Sequence, residues 1–142
     1  MARILIIDDH PALCDLLLTA LAARGHAGFA AHNGEVGLRL FRRERPDLVI
    51  TDLNMPRADG LEVLAWLHRD HPEVPVIMMS GSFDHDTSYY QEIADRYGAV
   101  AVLQKPFQLP AFWRAVHSAL RAVQPPAHSA SPFGALPGLV AI

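Results

Sequence analysis

The sequence predicts an α/β domain in which five strand–helix units build one parallel sheet, doubly wound by helices on both faces. Short, continuous apolar runs recur along the chain, and such runs are typical of strands that are buried on both faces. Longer stretches with helical spacing of apolar residues separate the runs. Five such units in a row imply right-handed crossovers and a parallel strand arrangement.

The predicted strands are the apolar runs themselves. Four are well marked, at residues 4–7, 48–51, 74–79 and 99–103. A weaker candidate at residues 27–31 lies between the first two. With this weaker run included, every predicted strand is followed by a predicted helix.

Caps and breakers indicate where the five helices begin and end. The signals, in chain order, are Pro11 in the first turn of the first helix, an Asn33 cap and a Pro46 stop for the second, Asp59 and Glu62 with capping-box spacing for the third, and Gly98 at the end of the fourth. The predicted apolar faces include Leu13, Leu16, Leu17, Ala20 and Leu21 in the first helix, Tyr89, Tyr90, Ile93, Ala94 and Tyr97 in the fourth, and Phe112, Val116, Ala119, Leu120 and Val123 in the fifth.

Length and composition fit one packed domain. The chain has 142 residues, of which 51% are hydrophobic and 19% charged, so a core is expected rather than disorder. The net charge of -3 argues against a nucleic-acid binder, and Arg42, Arg43 and Arg45 are predicted to form a solvated helix face. The single cysteine, Cys14, excludes an internal disulfide and is predicted to be a buried packing residue.

No targeting or membrane segment is evident, so a cytoplasmic protein is expected. The first residues run directly into a strand, and no apolar stretch approaches the ~20 residues of a membrane helix. We expect the folded domain at residues 1–123. Residues 124–142, rich in Pro, Ala, Ser and Gly, are predicted to be a flexible extension or linker, with a docking peptide as the alternative.

Polar side chains follow four of the predicted strands at the point where each strand ends. They are Asp8 and Asp9, then Asp52, Ser80 and Lys105. Because functional groups gather beyond the carboxyl ends of such strands, we expect these residues to share one rim of the sheet. A divalent cation would let all three crowded carboxylates ionise, and oxygen ligands of this kind favour Mg²⁺. An ionised carboxylate can attack phosphorus while a metal, a lysine and a hydroxyl neutralise the phosphoryl oxygens.

Four segments of the sequence resemble the receiver domains of two-component response regulators. They are IDDHP at residues 7–11, TDLNMPRADG at 51–60, MMSGS at 78–82 and QKPF at 104–107. They occur in the family's order and near its spacing, over roughly residues 2–123. The resemblance implies a flavodoxin-like (βα)5 fold with strand order 2-1-3-4-5. It also implies a signalling switch that is phosphorylated on an aspartate.

The resemblance implies a role for each acidic residue at the rim. Asp52 matches the phosphoacceptor. Asp8 and Asp9 match the pair that holds Mg²⁺ together with Asp52, and Asp9 is the expected direct ligand of the two. Asn54 matches the position whose backbone carbonyl completes the metal shell.

The remaining two matches concern the response to the phosphoryl group. Ser80 matches the switch hydroxyl, and Lys105 matches the lysine that pairs with a phosphoryl oxygen; its peptide bond to Pro106 is cis in the family. Two departures put the usual output coupling in doubt. Val102 occupies the position where the family's conventional switch has an aromatic residue, and residues 81–88 are expected to form a lengthened loop.

The resemblance also implies partners. The phosphoryl donor would be a sensor histidine kinase or a histidine phosphotransfer protein. Output is expected by protein contact through the face of the fourth helix, fifth strand and fifth helix (the α4-β5-α5 face), from a stand-alone receiver or one cut from a longer chain, with a homodimer left open. A partly exposed aromatic patch of Tyr89, Tyr90 and Trp113 would mark that interface. Neither a nucleic acid nor a membrane is an expected partner.

The rim residues are also compatible with two other functions. A degenerate receiver-like interaction module that works without phosphate is supported by Val102 and the lengthened loop. A small phosphatase of related topology is disfavoured because Asn54 leaves no second carboxylate two places after Asp52.

Histidines and the Asp59-Gly60 pair are predicted to stay outside the site. The eight histidines show no consistent ligand spacing. His10, beside the acidic pair, is predicted to serve at the helix start, with tuning of the acidic pocket as the alternative. Asp59-Gly60 is predicted to be a turn and helix cap, and Trp66 and Trp113 are predicted to be packing residues.

Overall fold

The protein forms a five-stranded parallel sheet flanked by five helices in a computed structural model that describes residues 1–56, 60–81 and 87–121. Along the chain the elements are β1 (Arg3–Ile7), α1 (Pro11–Ala23), β2 (Ala27–Ala31), α2 (Gly34–Glu44), β3 (Leu48–Asp52), α3 (Gly60–Asp70), β4 (Val76–Ser80), α4 (Thr87–Tyr97), β5 (Ala101–Gln104) and α5 (Leu109–Arg121). The strand order is β2-β1-β3-β4-β5 and all pairs are parallel. The predicted doubly wound, flavodoxin-like fold is therefore confirmed.

The sheet separates two hydrophobic cores because successive strand residues point to opposite faces. Ile4 and Ile6 of β1 pack with α1 and α5, whereas Leu5 and Ile7 pack with α2, α3 and α4. All five residues of β3 are buried, as are all five of β4. This double coverage explains why the strand segments are continuous apolar runs rather than alternating ones.

Strand bounds differ from the predicted ones by up to two residues. β4 begins at Val76, not at residue 74, because Val74 closes a turn onto the His71 carbonyl and Pro75 has no N–H to donate. β3 and β4 each run one residue further than predicted and include Asp52 and Ser80. The two polar side chains are therefore held by the sheet itself, which positions them more rigidly than a loop would.

The predicted helix signals are confirmed where the structure describes them. Pro11 is in the first turn of α1, and the Asn33 side chain accepts a 2.8 Å hydrogen bond from the Val36 N–H group at the start of α2. α2 ends at Arg45, which adopts the left-handed conformation with φ 48°. α4 ends before Gly98, whose φ of 71° is left-handed as well.

Leu16 lies elsewhere than predicted, and the aromatic residues of α4 and α5 differ in exposure. Leu16 is 53% exposed, because the buried stripe of α1 runs through Cys14, Leu17 and Leu21. Trp113 is buried, which confirms its predicted packing role, and Tyr90 is buried on the other side of the sheet, so these two residues form no exposed aromatic patch with Tyr89. Of that set only Tyr89 is exposed, because each helix turns its apolar stripe toward the sheet.

Several predicted features fall on residues that the structure does not describe. Asp59, Val123, most of the lengthened loop and the whole of residues 124–142 are not described.

Among the described helices, none is both long and apolar enough to cross a bilayer. Arg42, Arg43 and Arg45 are exposed, as predicted.

Candidate phosphoacceptor and metal site

Three aspartates meet at the carboxyl rim of the sheet, where the sequence predicts them. Asp8 directly follows β1 and Asp52 is the last residue of β3, and these two strands are neighbours with Ile7 opposite Thr51. Both aspartates are almost completely buried, at 0% and 2% exposure. Asp9 joins them, and carboxylate oxygens of all three lie within 4.8 Å of one another.

Lys105 links two of these carboxylates to the end of β5. Its Nζ atom lies 2.6 Å from Oδ2 of Asp8 and 3.2 Å from Oδ2 of Asp52. Burial acts to lower the pKa of Lys105, but the hydrogen bond to Asp8 and the charges of Asp52 and Asp8 outweigh it and raise that pKa. The lysine is therefore a cation held against buried anions. The peptide bond that follows it, to Pro106, is cis as the resemblance implies.

The backbone around Asp52 fixes the direction of its carboxylate. Oδ1 accepts a 3.1 Å hydrogen bond from the Asn54 N–H group, while Oδ2 faces Lys105. Asn54 thus contacts the site through its amide, and the metal-binding role of its carbonyl stays a prediction. Ser80 is buried at the end of β4, beside β3, and its carbonyl accepts the Lys105 N–H group at 2.7 Å. The role of its hydroxyl also stays a prediction.

Gly60 shapes the site in a way that the sequence did not reveal. A Cβ atom built on Gly60 would lie 1.7 Å from the Asp52 carbonyl oxygen and 2.6 Å from the Leu53 Cα atom. The first turn of α3 therefore lies directly against the backbone of the central aspartate. The predicted turn-and-cap role omits this contact. A glycine at fixed distance from Asp52 within TDLNMPRADG was the available signal.

His10 is a second residue that lies closer to the site than predicted. It is the residue before α1, yet its side chain makes no capping hydrogen bond. Its Nδ1 atom lies 3.2 Å from Oδ1 of Asp8 and 3.3 Å from Oδ1 of Asp9. The imidazole therefore belongs to the group of side chains that could hold one metal ion, with Asp8, Asp9 and Asp52.

The charge and the donor set of the rim suit a divalent cation. Three carboxylates and one ammonium leave two negative charges at a largely buried position. Oδ1 of Asp9 is buried and, in the described part of the chain, receives no hydrogen bond. An orphaned anionic oxygen of this kind calls for a cation. The acidic cluster of Asp8, Asp9 and Asp52 can therefore hold a metal ion, and oxygen donors favour a hard one.

Cys14 lies beneath the site and is a buried packing residue, as predicted. Its thiol contacts the Asp8 carbonyl oxygen at 3.4 Å and is fully buried. Burial, with the nearby charges of Asp8 and Asp15, raises the pKa of Cys14 to about 11. The residue therefore stays a thiol at neutral pH and is not a nucleophile.

The fold and its rim define the class of flavodoxin-like domains that carry an acidic site at the carboxyl ends of β1 and β3. The chain belongs to the response regulator receiver domain family, whose model matches residues 4–117. Receiver domains of response regulators are phosphorylatable signalling switches of two-component systems. The stated resemblance is thereby confirmed at the level of the family.

Individual relatives agree with this assignment. The transcriptional regulatory protein GlrR of Escherichia coli strain K12 is 34% identical over 124 residues, covering 87% of this chain and 27% of GlrR. The nitrogen assimilation regulatory protein NtrX of Azorhizobium caulinodans is 37% identical over 106 residues, covering 73% of this chain and 23% of NtrX. The chain thus spans only about a quarter of these relatives.

Solved structures show the same architecture. A response regulator receiver domain protein from Clostridium thermocellum matches with a TM-score of 0.76 and 29% identity, over 84% of this chain and 94% of that one. The receiver domain of NtrX from Brucella abortus matches with a TM-score of 0.74 and 32% identity, over 82% and 97% of the two chains.

Proposed function

We propose that Asp52 accepts a phosphoryl group from a phosphohistidine, on a sensor histidine kinase or a histidine phosphotransfer protein, in a Mg²⁺-dependent reaction. One observation carries the proposal: a buried carboxylate at the end of the central strand has one oxygen facing Lys105 and the other on a backbone amide. That carboxylate is oriented and lies next to a cation, which is what an attacking oxygen requires.

The bond changes balance without another reactant. An oxygen of Asp52 forms a bond to phosphorus while the phosphorus–nitrogen bond of the donor breaks, and the imidazole of the donor leaves with the electron pair. Lys105, which spans Asp8 and Asp52 through Nζ, would follow the new negative charge and pair with a phosphoryl oxygen. The Ser80 hydroxyl, at the end of the adjacent strand, would donate to another phosphoryl oxygen. Later attack by water would return free phosphate and the carboxylate.

Mg²⁺ is the metal we assign to Asp8, Asp9, Asp52 and the backbone carbonyl of Asn54. When bound, it supplies positive charge to the phosphoryl oxygens during transfer. Asp8 contributes a carboxylate already held by the His10 N–H group at 2.8 Å. Asp9 contributes the buried Oδ1, which forms no hydrogen bond among the described residues and lies 3.3 Å from Nδ1 of His10.

The output is proposed to be protein contact through the α4-β5-α5 face, from a receiver spanning residues 1–123. β5 is the edge strand of the sheet, and α4 and α5 flank it on opposite faces. Tyr89 on α4, 39% exposed, and Leu109 at the start of α5, 38% exposed, are apolar groups offered there. Phosphorylation changes charge at Asp52, two strands away, and would bias this face toward its partner.

The alternative, a phosphate-independent interaction module, does not account for the buried charged residues of the site. Such a module has no use for a fully buried Asp8 and a nearly buried Asp52 against Lys105. Buried ion pairs contribute little net stability compared with apolar residues of the same size. Retaining this cluster therefore fits a chemical role better than a purely structural one.

The test is phosphorylation of the full chain by acetyl phosphate, read by intact mass. We expect one phosphate adduct that requires Mg²⁺ and is absent from Asp52→Asn. Asp47→Asn is the matched control, because Asp47 precedes the same strand at its opposite end and is exposed. An adduct that persists in Asp52→Asn, or that forms equally well without any divalent cation, would contradict the proposal.

A further inference from the structure

We propose that His10 supplies a nitrogen ligand to the metal site through Nδ1, so that the site binds transition-metal cations such as Co²⁺ far more tightly than Mg²⁺. The inference rests on the metal site of the proposed function and deepens it, because it concerns which ions that site selects. It follows from the side-chain geometry of His10 and the donor set that surrounds it.

The distances match those between ligands of one ion. Metal–ligand bonds to nitrogen and oxygen are about 2.1 Å long, so two ligands at right angles lie about 3.0 Å apart. Nδ1 of His10 is 3.2 Å from Oδ1 of Asp8 and 3.3 Å from Oδ1 of Asp9. With Asp52 included, one donor atom from each of the four residues falls within 4.8 Å of the others. A single ion can therefore contact all four side chains after small adjustments.

Packing does not explain why the imidazole lies here. The His10 side chain is 70% exposed and does not cap α1, although it occupies the capping position. The His10 backbone fixes the approach, because its N–H group donates to Oδ1 of Asp8 at 2.8 Å. The ring is thus brought over the carboxylates by the same turn that positions Asp8.

The donor chemistry decides which ions benefit. Imidazole nitrogen is a good ligand for Co²⁺, Ni²⁺ and Zn²⁺, whereas Mg²⁺ prefers carboxylates, carbonyls and water. A site of three carboxylates and one imidazole should therefore gain affinity for the transition metals from His10 and almost none for Mg²⁺. If His10 acted only as a positive charge beside Asp8 and Asp9, its removal would change the affinities for both kinds of ion by the same factor.

The experiment compares Co²⁺ and Mg²⁺ binding by titration calorimetry at pH 8 in the wild type, His10→Ala and His117→Ala. His117 is an exposed histidine near the end of α5 and serves as the matched control. We expect the ratio of the Mg²⁺ to the Co²⁺ dissociation constant to fall by about tenfold or more in His10→Ala, since even outer-shell partners of metal sites are worth about 10–100-fold. The control should keep the wild-type ratio.

Proton NMR of the Co²⁺-loaded protein supplies an independent signature. An imidazole bound through Nδ1 keeps a proton on Nε2, so the wild type should show a paramagnetically shifted resonance that disappears in D₂O. That resonance should be absent from His10→Ala and present in His117→Ala.

Two results overturn the inference: equal changes in Co²⁺ and Mg²⁺ affinity, or a shifted exchangeable resonance that survives in His10→Ala. The proposed function is checked separately on the wild type, through Mg²⁺ binding and the phosphate adduct. Wild-type protein that takes phosphate with Mg²⁺ but shows no effect of His10 on selectivity would refute this inference alone. Wild-type protein that binds neither ion would overturn both.

Discussion

Replacing Gly60 by alanine should damage the site without touching any charged residue. The added Cβ atom would lie 1.7 Å from the Asp52 carbonyl oxygen, whereas real Cβ atoms essentially never approach closer than 3.0 Å. α3 and the end of β3 must therefore separate by about 1.3 Å at this point, a displacement of the size known to reduce catalytic rates by about 10²-fold. Neither α3 nor β3 can move at low cost, because the contacted atoms belong to the backbone and α3 buries Val63, Leu64 and Leu67.

The sign of the stability change makes Gly60→Ala diagnostic. A glycine-to-alanine change in a helix normally stabilises by about 0.5–1 kcal/mol. Overpacking of a rigid core costs about 1–3 kcal/mol and reverses that sign. We therefore expect urea unfolding to show a net loss of about 1–2 kcal/mol. The rate of phosphate labelling by acetyl phosphate with Mg²⁺ should drop by at least about tenfold.

Gly81→Ala is the control for Gly60→Ala, because it adds the same atom beside the site without a clash. Among the described residues its Cβ atom would contact the Lys105 side chain, at the ordinary distances of 3.4 and 3.7 Å. The control should keep stability and labelling within about twofold of the wild type. If Gly60→Ala were as stable and as rapidly labelled as Gly81→Ala, the close approach of α3 to Asp52 would be refuted.

Three further predictions concern charge, reactivity and backbone conformation. Lys105→Met should lower the free energy of unfolding at pH 7 by about 3 kcal/mol, because Asp8 and Asp52 stay buried without their cation. The pKa of Lys105 is raised above 10.5 in the folded state, so the protonated lysine stabilises the wild type below pH 10.5, and this stabilisation is lost as the pH rises through the folded-state pKa. Urea unfolding at increasing pH should show this loss in the wild type and not in Lys105→Met. Cys14, with its pKa at about 11 instead of 9.0, should react with iodoacetamide at pH 8 about 100-fold more slowly in the native protein than in urea; equal rates would contradict its burial. Arg45→Gly should raise the melting temperature by roughly 3–4 °C, because the left-handed φ of 48° costs a non-glycine residue about 1 kcal/mol; an unchanged midpoint would refute that strain.

Local signals in the sequence were sufficient to predict the strands and helices. Helix ends are marked by chemistry that acts within one turn, at Pro11, Asn33 and Gly98. These helix ends could therefore be predicted without knowledge of the rest of the chain. The rule for parallel sheets placed Asp8 and Asp52 at the same rim, and the strand order implied by the family resemblance made the ends of β1 and β3 neighbours.

Features that depend on how elements approach each other were not predictable in the same way. The contact between Gly60 and the Asp52 backbone depends on the distance of α3 from β3, which no periodicity encodes. The direction of the His10 ring depends on its side-chain rotamer, and the exposure of Leu16 depends on how α1 turns its buried stripe toward the sheet. Sequence spacing is compatible with several of these arrangements.

Val102 raises the question of how a signal could leave the site without an aromatic switch residue. Val102 is half-buried, pairs with Met78 on β4 and packs into the core that faces α4. A β-branched side chain held this way has one restricted torsion and no long ring to swing outward. The ends of β4 and β5 are instead joined directly, since the Lys105 N–H group donates to the Ser80 carbonyl at 2.7 Å. In the proposed switch, a phosphoryl group bound by both Nζ of Lys105 and the Ser80 hydroxyl would act on the ends of β4 and β5 together. This coupling needs no side chain at position 102, which is why a valine there is compatible with a working switch.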